Sequence, residues 1–593
     1  MLKLQHYLLA SACLAVVGAA SFALPAQAAS NCSGMTNCDG GPYTFGKKDT
    51  FGAGSSLVAP YWRQTDDCFA NPAALINKGT PPTFVDESFF NYKGAKAQNC
   101  ATQHVKTGET VWYISTGSGT GILGVFSHDS TQYGFVDGGQ TQYFNAPQYG
   151  LSDAGLGSSD VTAYDNGGQY TQGSVTLNIG APNQVACTSG STNPYPNPAQ
   201  CYGPLVQFPF SIDPVAQSYQ NTYEKVLTNK GQVISYNFNI KYGRKDSSGG
   251  LRLSQTTLCK IWNAQITNWN DPAITADNGG QSLQDPQDPS TSWSVPLIPV
   301  GRSDSSGTTS IITRHLAAIC PSLITGNLYT TGATTLQNAG AGSIVGSTYD
   351  TTTSNFPGVD QTGKITIAPG SSGVAQYTAF TAVPTGSNSN CTVPAGDQGC
   401  IAQGRIAYIG PDYVLPYVNK TLAVPYGLDS ATLQNSGGKW IEPTPKGASS
   451  AFGSIQPPQS DSKGNYCPSC TDWGMRNDPT AWVQGLSPSS PLANPLGNAD
   501  YPMVGTTNYL GYTCIANKNV EATLVGDLGY VNSSAINTDT KAGILASAGL
   551  SPLPKQWLTA VSSTFIGNKS GLGLNITTAG KGTMCSAAGV IGG

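Results

Sequence analysis

Hydrophobic residues along this chain fall into short runs, and long polar stretches rich in Gly, Pro, Asn and Ser separate them. Four of the runs have the length and composition of strands: Val111–Ser115, Leu205–Phe210, Val295–Val300 and Ile406–Ile409. Helix-like segments follow several of them, a pattern that predicts an α/β fold with parallel strands buried under helices. The polar stretches predict long loop insertions, at about residues 64–108, 163–202, 275–292, 327–364, 380–400 and 436–500.

The segment Leu253–Trp269 is predicted to be largely helical. Leu258, Ile261 and Trp262 recur at helical spacing, which places them on one face. Ser254 stands at a suitable place for the N-cap. Packing against a core is a sufficient role for such a helix.

The first residues of the chain have the pattern of a signal peptide. Lys3 precedes an apolar run from Tyr7 to Leu24, and Ala26-Gln27-Ala28 is the small-x-small pattern that signal peptidases cleave. This predicts a leader over residues 1–28 and a periplasmic or secreted extracellular protein. No later stretch approaches the roughly 20 apolar residues that a membrane span needs, so membrane insertion is not expected.

Composition narrows the class of partner. Charged residues make up 10% of the 593 residues, and the formal net charge is −4. Few Lys or Arg residues cluster, so the sequence lacks the basic patch that nucleic acids or anionic membranes require. The chain has 15 cysteines; fourteen remain if Cys13 leaves with the leader, and disulfides are the default for an exported protein.

The sharpest chemical signal is Gly301–Thr309, which directly follows the third predicted strand. Ser306–Thr308 open a predicted helix, where hydroxyls and free backbone N–H groups can converge on a tetrahedral oxyanion. Arg302 could add a two-pronged donor, and Asp304 could orient it. A Ser-capped helix with a surface Arg explains the same string equally well.

Three further loops carry polar groups where apolar runs end. Ser55–Leu57 follows the glycine-rich string Gly52–Gly54, and Thr116–Gly121 follows the first predicted strand. Glycines let a backbone approach a ligand closely, and the hydroxyls can donate. Asp153 ends the run Tyr149–Ser152. Taken singly, each of these loops could be an ordinary turn.

Together and in this order, the motifs resemble the substrate-binding protein of the bacterial phosphate ABC transporter and its extended relatives, the DING proteins. The resemblance rests on Gly52–Pro60, Gly117–Gly121, Tyr149–Leu156, Leu205–Pro209, Leu258–Trp269, Gly301–Thr309 and Gly404–Pro411, with Tyr501-Pro502, Gly505–Tyr509, Leu553-Pro554 and Trp557 near the C-terminus. The chain departs from the family at Ser56 and Val58, where Thr and Pro are common, and it has Lys48–Phe51 instead of a DING string.

The resemblance implies an α/β, two-lobed, periplasmic-binding-protein-like (type II) fold with long loop insertions. After the signal peptide 1–28, residues 42–204 plus 411–593 would form lobe one and 205–410 lobe two, with crossover strands near 205–210 and 404–410. It also implies the disulfides Cys259–Cys320 and Cys514–Cys585. The ligand would lie between the lobes.

Carried over motif by motif, the family's phosphate site comprises Ser56, the N–H of Leu57, Ser118, Asp153, Arg302, Ser306, Gly307 and Thr308. Asp304 would support Arg302. Asp153 has the most specific physical role, since a buried carboxylate tolerates a bound dianion only if a proton lies between them. Phosphate keeps such a proton near neutral pH and sulfate does not, so the carboxylate would discriminate between them.

The sequence therefore predicts an exported protein that captures inorganic phosphate for uptake, with a phosphate permease as a possible partner and no catalytic residue, cofactor or metal. Two alternatives stay open. Some DING relatives are associated with phosphatase activity, and the fold could also serve an extracellular structural or adhesive protein whose insertions make the contacts. Cys467-Pro468-Ser469-Cys470 could be redox-active or half of a zinc site, but it has no partner motif and lies in a loop-rich stretch, which favours a structural disulfide.

Overall fold

The structure is a computed structural model of the chain. It describes residues 45–70, 106, 108–137, 140–172, 175–179, 197–227, 232–243, 249–263, 265–302, 304–320, 366–379, 399–401, 404–415, 428–453, 455–458, 474–484, 489–537, 544–567, 569, 572–581, 584–587 and 590–593. The predicted signal peptide lies outside them. No helix among the residues that the structure describes has the length and hydrophobicity needed to span a bilayer.

The strands are numbered along the chain. They are β1 Thr50–Gly54, β2 Val111–Ser115, β3 Gly134–Asp137, β4 Gln140–Tyr143, β5 Tyr149–Ser152, β6 Gly168–Gln172, β7 Val175–Ile179, β8 Leu205–Pro214, β9 Ala216–Tyr219, β10 Thr222–Leu227, β11 Gln232–Asn237, β12 Arg252–Leu253, β13 Leu297–Arg302, β14 Thr366–Ala368, β15 Gly399–Ile401, β16 Gly404–Ile409, β17 Asp429–Ser430, β18 Thr432–Gln434, β19 Trp440–Ile441, β20 Val504–Tyr512, β21 Cys514–Ile515 and β22 Thr577–Thr578. All four predicted strands are present, as β2, β8, β13 and β16.

The α-helices are numbered in the same way. They are α1 Ala59–Phe69, α2 Ser118–Ser127, α3 Ser158–Asn166, α4 Pro198–Tyr202, α5 Gln255–Trp262, α6 Pro272–Asp277, α7 Gly307–Ile319, α8 Gly370–Ala379, α9 Pro445–Phe452, α10 Lys518–Val531, α11 Ile544–Ser547 and α12 Lys555–Val561. The predicted helix over 253–269 is shorter than expected: α5 begins after the Ser254 cap, which accepts from the N–H of Thr257, and ends at Trp262.

Two five-stranded sheets form the framework. The first has the order β2-β1-β5-β20-β8, and the second has the order β14-β13-β16-β9-β17. In each sheet three neighbouring strands are parallel: β2, β1 and β5 in the first, and β14, β13 and β16 in the second. Helices follow β1, β2, β13 and β14 directly, as the α/β pattern predicts.

The chain passes from the first sheet to the second at Val215, between β8 and β9. The segment predicted as the first crossover, near 205–210, lies in β8, the strand that leads to this passage. The segment predicted as the second crossover, 404–410, differs from expectation and forms a strand inside the second sheet. Because β16 pairs with β13 on one edge and β9 on the other, it has no edge left for the first sheet, which the chain rejoins with β20. The predicted lobe boundaries remain a proposal.

Two disulfides tie distant segments together. Cys259 of α5 bonds Cys320, just after α7, and Cys514 of β21 bonds Cys585. These are the two pairs that the family resemblance implies. Cys68 and Cys201 are disulfide-bonded as well. The CPSC motif at 467–470 lies outside the described residues.

A pair of buried carboxyl groups lies between α1 and α10. Asp66 is 1% exposed and Asp527 is fully buried, and none of their four carboxylate oxygens has a hydrogen-bond partner among the described residues. Burial raises the pKa of Asp527 to about 8. Burial, and then the charge of Asp527, raises the pKa of Asp66, although Arg63 acts in the opposite direction. The folded protein therefore holds protons here that the unfolded chain would release.

We expect Asp527→Asn to flatten the pH dependence of stability. A carboxyl group whose pKa is raised on folding stabilises the protein fully below its unfolded pKa of about 3.9, and this stabilisation is lost as the pH rises through about 8. The loss is at most about 1.4 kcal/mol per pH unit for one group. Thermal midpoints of wild type and Asp527→Asn, measured at several pH values in that window, test this. Glu521→Gln, on the same helix at a partly exposed position, is the control.

Candidate functional site

Three loops of the first sheet meet at one edge because β1, β2 and β5 are parallel, which brings their carboxyl ends together. The loop after β1 is anchored by the N–H of Ser55, which donates to Leu151 O at 2.9 Å, and the loop after β2 by Gly117 N–H, which donates to Gly54 O at 2.8 Å. Asp153 N–H lies 3.3 Å from Ser118 Oγ. Ser55–Leu57, Ser118 and Asp153 are thereby neighbours.

The second sheet presents a matching edge. Arg302 ends β13, and Ser306 caps α7 by accepting from the N–H of Thr309. At the end of the neighbouring strand β14, Gly370 and Ser371 begin α8. The first N–H groups of α7 and α8 have no partner within their own helices, and the helix N-termini carry a partial positive charge, which favours an anion.

The two edges face each other at contact distance. Thr308 Oγ1 donates to Asp153 Oδ2 at 2.9 Å, and Gly119 N–H donates to Ser305 O at 3.0 Å. A Cβ added at Gly307 would lie 2.5 Å from the backbone N of Ala154. Residue 307 must therefore be glycine for the edges to approach this closely.

Asp153 lies at the centre of the contacts. It is 2% exposed, and its carboxylate accepts from Ser55 and from Thr308, as well as from Thr507 Oγ1 at 2.9 Å. Burial raises the pKa of Asp153, while the three hydroxyl donors and the charge of Arg302 act to lower it. The site thus contains one buried acid held in place by hydroxyl groups.

Arg302 is the buried cation of the site, with 2% of its surface exposed. Its Nε donates to Asp304 Oδ1 at 2.7 Å, and its Nη2 forms an ion pair with the other oxygen of Asp304. Burial acts to lower the pKa of Arg302, but the charge and hydrogen bonds of Asp304 outweigh it and raise that pKa. Nη1 has no partner among the described residues, so its N–H groups are free to serve a ligand.

A serine pair joins the two edges at a second point. Ser56 Oγ lies 2.9 Å from Ser371 Oγ and accepts from the N–H of Ser371 at 3.0 Å. Asp304 accepts from the N–H of Gly370 at 3.0 Å, which ties Arg302 to the same helix start. The start of α8 is therefore a part of the site.

All eight residues predicted for the anion site are buried, and the structure brings them together: Ser56, Leu57, Ser118, Asp153, Arg302, Ser306, Gly307 and Thr308. Asp304, predicted to support Arg302, contacts its Nε and Nη2. Leu57 N–H donates to Ser55 Oγ at 3.1 Å. No group of His, Cys, Asp and Glu residues that could hold a metal occurs within the described ranges.

Ser55 lies in a predicted loop but was not assigned to the anion site, and three further residues at or behind the site were not predicted: Ser371, Thr507 and Asp213. Ser371 had a local signal, because Gly370–Gly373 repeats the pattern of glycine and hydroxyl residues seen in the other loops. Thr507 and Asp213 had none, since both lie inside strands. Only the pairing of β20 with β8 and β5 brings them behind Asp153.

Comparisons with known proteins agree with this architecture. Residues 202–448 match the model of the PBP superfamily domain. Over 432 residues the chain is 26% identical to alkaline phosphatase L of Pseudomonas aeruginosa strain UCBPP-PA14, covering 70% of this chain and 83% of that protein. Over 363 residues it is 26% identical to a phosphate-binding protein of an unknown prokaryotic organism, covering 57% of this chain and 73% of that one.

One solved structure, the ancestral soluble variant of the human phosphate binding protein, matches with a TM-score of 0.50 and 18% identity, over 89% of this chain and 99% of that one. This likeness establishes the fold, and the predicted two-lobed α/β fold of the periplasmic-binding-protein type is confirmed. The predicted family resemblance is confirmed by the domain match and the curated relatives. Residues 202–448 thus match the PBP superfamily domain, and the chain is similar over part of its length to a phosphate-binding protein.

Proposed function

We propose that this protein binds inorganic phosphate between the two sheet edges and delivers it for uptake. The observation that carries the proposal is the buried acid Asp153, set among hydroxyl donors and beside a buried Arg302. Such a site offers many donors to a tetrahedral anion and one acceptor. An anion that fills it must bring at least one proton of its own.

Electrostatics then favours phosphate over sulfate. Near neutral pH phosphate carries a proton that it can donate to the Asp153 carboxylate. Sulfate is fully ionised and would face that carboxylate with like charge and no donor. The relative named phosphate-binding protein is consistent with this ligand.

A phosphatase is the second candidate, because the relative with 26% identity over 432 residues bears the name alkaline phosphatase L. Ser55 donates to Asp153, and a hydroxyl beside a carboxylate is a possible nucleophile and base. The two histidines that the structure describes favour a binding protein over a phosphatase, because each has a partner elsewhere. His128 Nδ1 lies 3.1 Å from Tyr512 Oη, and His315 Nδ1 lies 2.7 Å from Ala493 O. Neither contacts a residue of the site.

Calorimetric titration of phosphate-depleted protein with phosphate and with sulfate tests the proposal. We expect saturable heat with phosphate, weak or no heat with sulfate, and no hydrolysis of a phosphomonoester with or without a chelator. If the protein is folded but its titration with phosphate releases or absorbs no heat of binding, the proposed function is wrong. Hydrolysis that Ser55→Ala abolishes would instead support the phosphatase.

Export through the predicted leader, and periplasmic or secreted extracellular localisation, belong to the same proposal. Delivery to a phosphate permease would follow from it. An extracellular structural or adhesive protein would show neither anion-specific binding in the calorimeter nor hydrolysis. The same measurements therefore distinguish that alternative from the phosphate-binding protein and the phosphatase.

A further inference from the structure

The hydroxyl of Thr507 lies between two buried carboxyl groups. Its Oγ1 is 2.9 Å from Asp153 Oδ1 and 2.6 Å from Asp213 Oδ2. A threonine hydroxyl has one proton, so it can donate to only one of these oxygens. If both carboxyl groups were ionised, the other oxygen would face a lone pair at hydrogen-bond distance. The geometry therefore requires a proton on one of the two acids.

The partners of the two acids decide which one holds this proton. Asp153 accepts from Ser55 and Thr308 and lies near the charge of Arg302, all of which stabilise its anion. Asp213 is fully buried, and its Oδ1 has no hydrogen-bond partner among the described residues. A carboxylate in that position would lose its solvation at a large cost in free energy, and a neutral acid would lose much less.

The charge of Asp153 also favours the neutral form of Asp213. Asp153 faces it across Thr507, and Tyr61 of α1 faces it from the helix side. Burial raises the pKa of Asp213 to about 7; the nearby Ser211 and Thr507 act to lower it, and the charge of Asp153 contributes to the rise. Tyr61 is itself buried, and its pKa is raised, so it remains neutral.

We propose that Asp213 is a positioning residue for anion selectivity: as a neutral acid it donates to Thr507, which donates to Asp153 and holds it as an anionic acceptor. This inference rests on the proposed phosphate function. The relay Asp213–Thr507–Asp153 keeps the Thr507 proton directed at the site. Only an anion that supplies a further proton can then bind next to Asp153.

The relay makes phosphate binding depend on pH. When Asp213 ionises, a second negative charge lies behind Asp153. The Thr507 hydroxyl can then donate to either carboxylate. Bound phosphate makes this ionisation harder, so binding above the ligand-free pKa takes up a proton at Asp213. By linkage, the phosphate affinity falls by up to about tenfold per pH unit, beyond the change due to phosphate itself.

Asp213→Asn tests this, because the amide has the shape of the neutral acid and can donate to Thr507 but cannot ionise. We expect its phosphate affinity to match wild type within about threefold at about pH 6 and to exceed it by about tenfold at about pH 8.5. Calorimetry in buffers of different ionisation enthalpy should show proton uptake in wild type that the variant lacks. Asp527 is another buried acid, but it makes no hydrogen bond to Thr507. The variant Asp527→Asn should therefore keep the pH dependence of phosphate affinity seen in wild type.

Equal pH slopes and equal proton uptake in wild type and Asp213→Asn would overturn the proposal. If Asp213→Asn does not fold, Thr507→Val replaces it: the ratio of phosphate to sulfate affinity should fall at least about tenfold, and an unchanged ratio overturns the relay.

Infrared spectra of the ligand-free protein separate this proposal from the phosphate function. A protonated carboxyl band at about pH 6 should be weaker in Asp213→Asn than in wild type. If wild type binds no phosphate, the proposed function fails and this band alone decides where the proton lies. Its presence then upholds the neutral Asp213, and identical spectra overturn it.

Discussion

Arg302→Ala is expected to weaken phosphate binding by at least about 100-fold, which corresponds to about 3 kcal/mol. The guanidinium is the buried cation of the site, and Asp304 already occupies its Nε and Nη2. Its remaining nitrogen can donate to the anion while its charge offsets that of the ligand. Because hydrogen bonds between charged groups are stronger than neutral ones, losing them costs more than losing one hydroxyl.

The fold should survive this change. Asp304 is 22% exposed at its side chain and still accepts from the N–H of Gly370, so it remains solvated without its partner. Arg302→Lys keeps the charge and loses the planar donor geometry, so an intermediate affinity is expected. Arg252→Ala, which removes an arginine stacked on Tyr242 away from the site, is the matched control. Phosphate affinity within about threefold of wild type in Arg302→Ala would show that the anion binds elsewhere.

Asp153→Asn should change selectivity more than any other substitution. The amide removes the charge that repels sulfate and adds an N–H donor in its place, so sulfate affinity should rise while phosphate loses its strongest acceptor. We expect the ratio of phosphate to sulfate affinity to fall by at least about 100-fold. Titration of both anions into the same preparation measures this ratio.

The pH dependence gives an independent test of the same residue. Burial raises the pKa of Asp153, so in wild type this carboxyl group takes up its proton at a higher pH than an exposed aspartate. Once protonated it can donate to sulfate, and sulfate affinity should therefore rise as the pH falls. Asp153→Asn cannot titrate, so its sulfate affinity should lack this rise. Asp160→Asn, at a half-buried acid beside Tyr170, is the control. Unchanged anion selectivity in Asp153→Asn would contradict the proton-sharing role.

Much of the site could be predicted because its residues follow their strands immediately. Arg302 ends β13, Asp304 and Ser306–Thr308 follow it in one string, and Asp153 directly follows β5. A strand that ends in such a string directs its polar groups to the carboxyl edge of the sheet wherever the rest of the chain goes. The strand runs themselves were visible because both faces of these sheets are covered, which selects apolar residues.

The partners across the fold could not be predicted in this way. Ser371 lies 315 residues from Ser56, and Thr507 lies 354 residues from Asp153. Nothing in a local string says which distant strand will lie behind it. The second crossover was predicted at the wrong segment for the same reason. The apolar run over 404–410 predicts a buried strand, but it does not indicate which sheet that strand joins.

The amino-acid sequence alone determined the α/β class, the strand runs, the loops that carry donors and the position of Asp153, the acid proposed to select the anion. The tertiary structure alone decided that these loops face one another, that α8 contributes a serine, and that the Thr507 hydroxyl lies between Asp153 and Asp213. The physical reason is that strand and loop chemistry is set by neighbours along the chain. Hydrogen bonds between buried side chains are set by strand pairing over hundreds of residues.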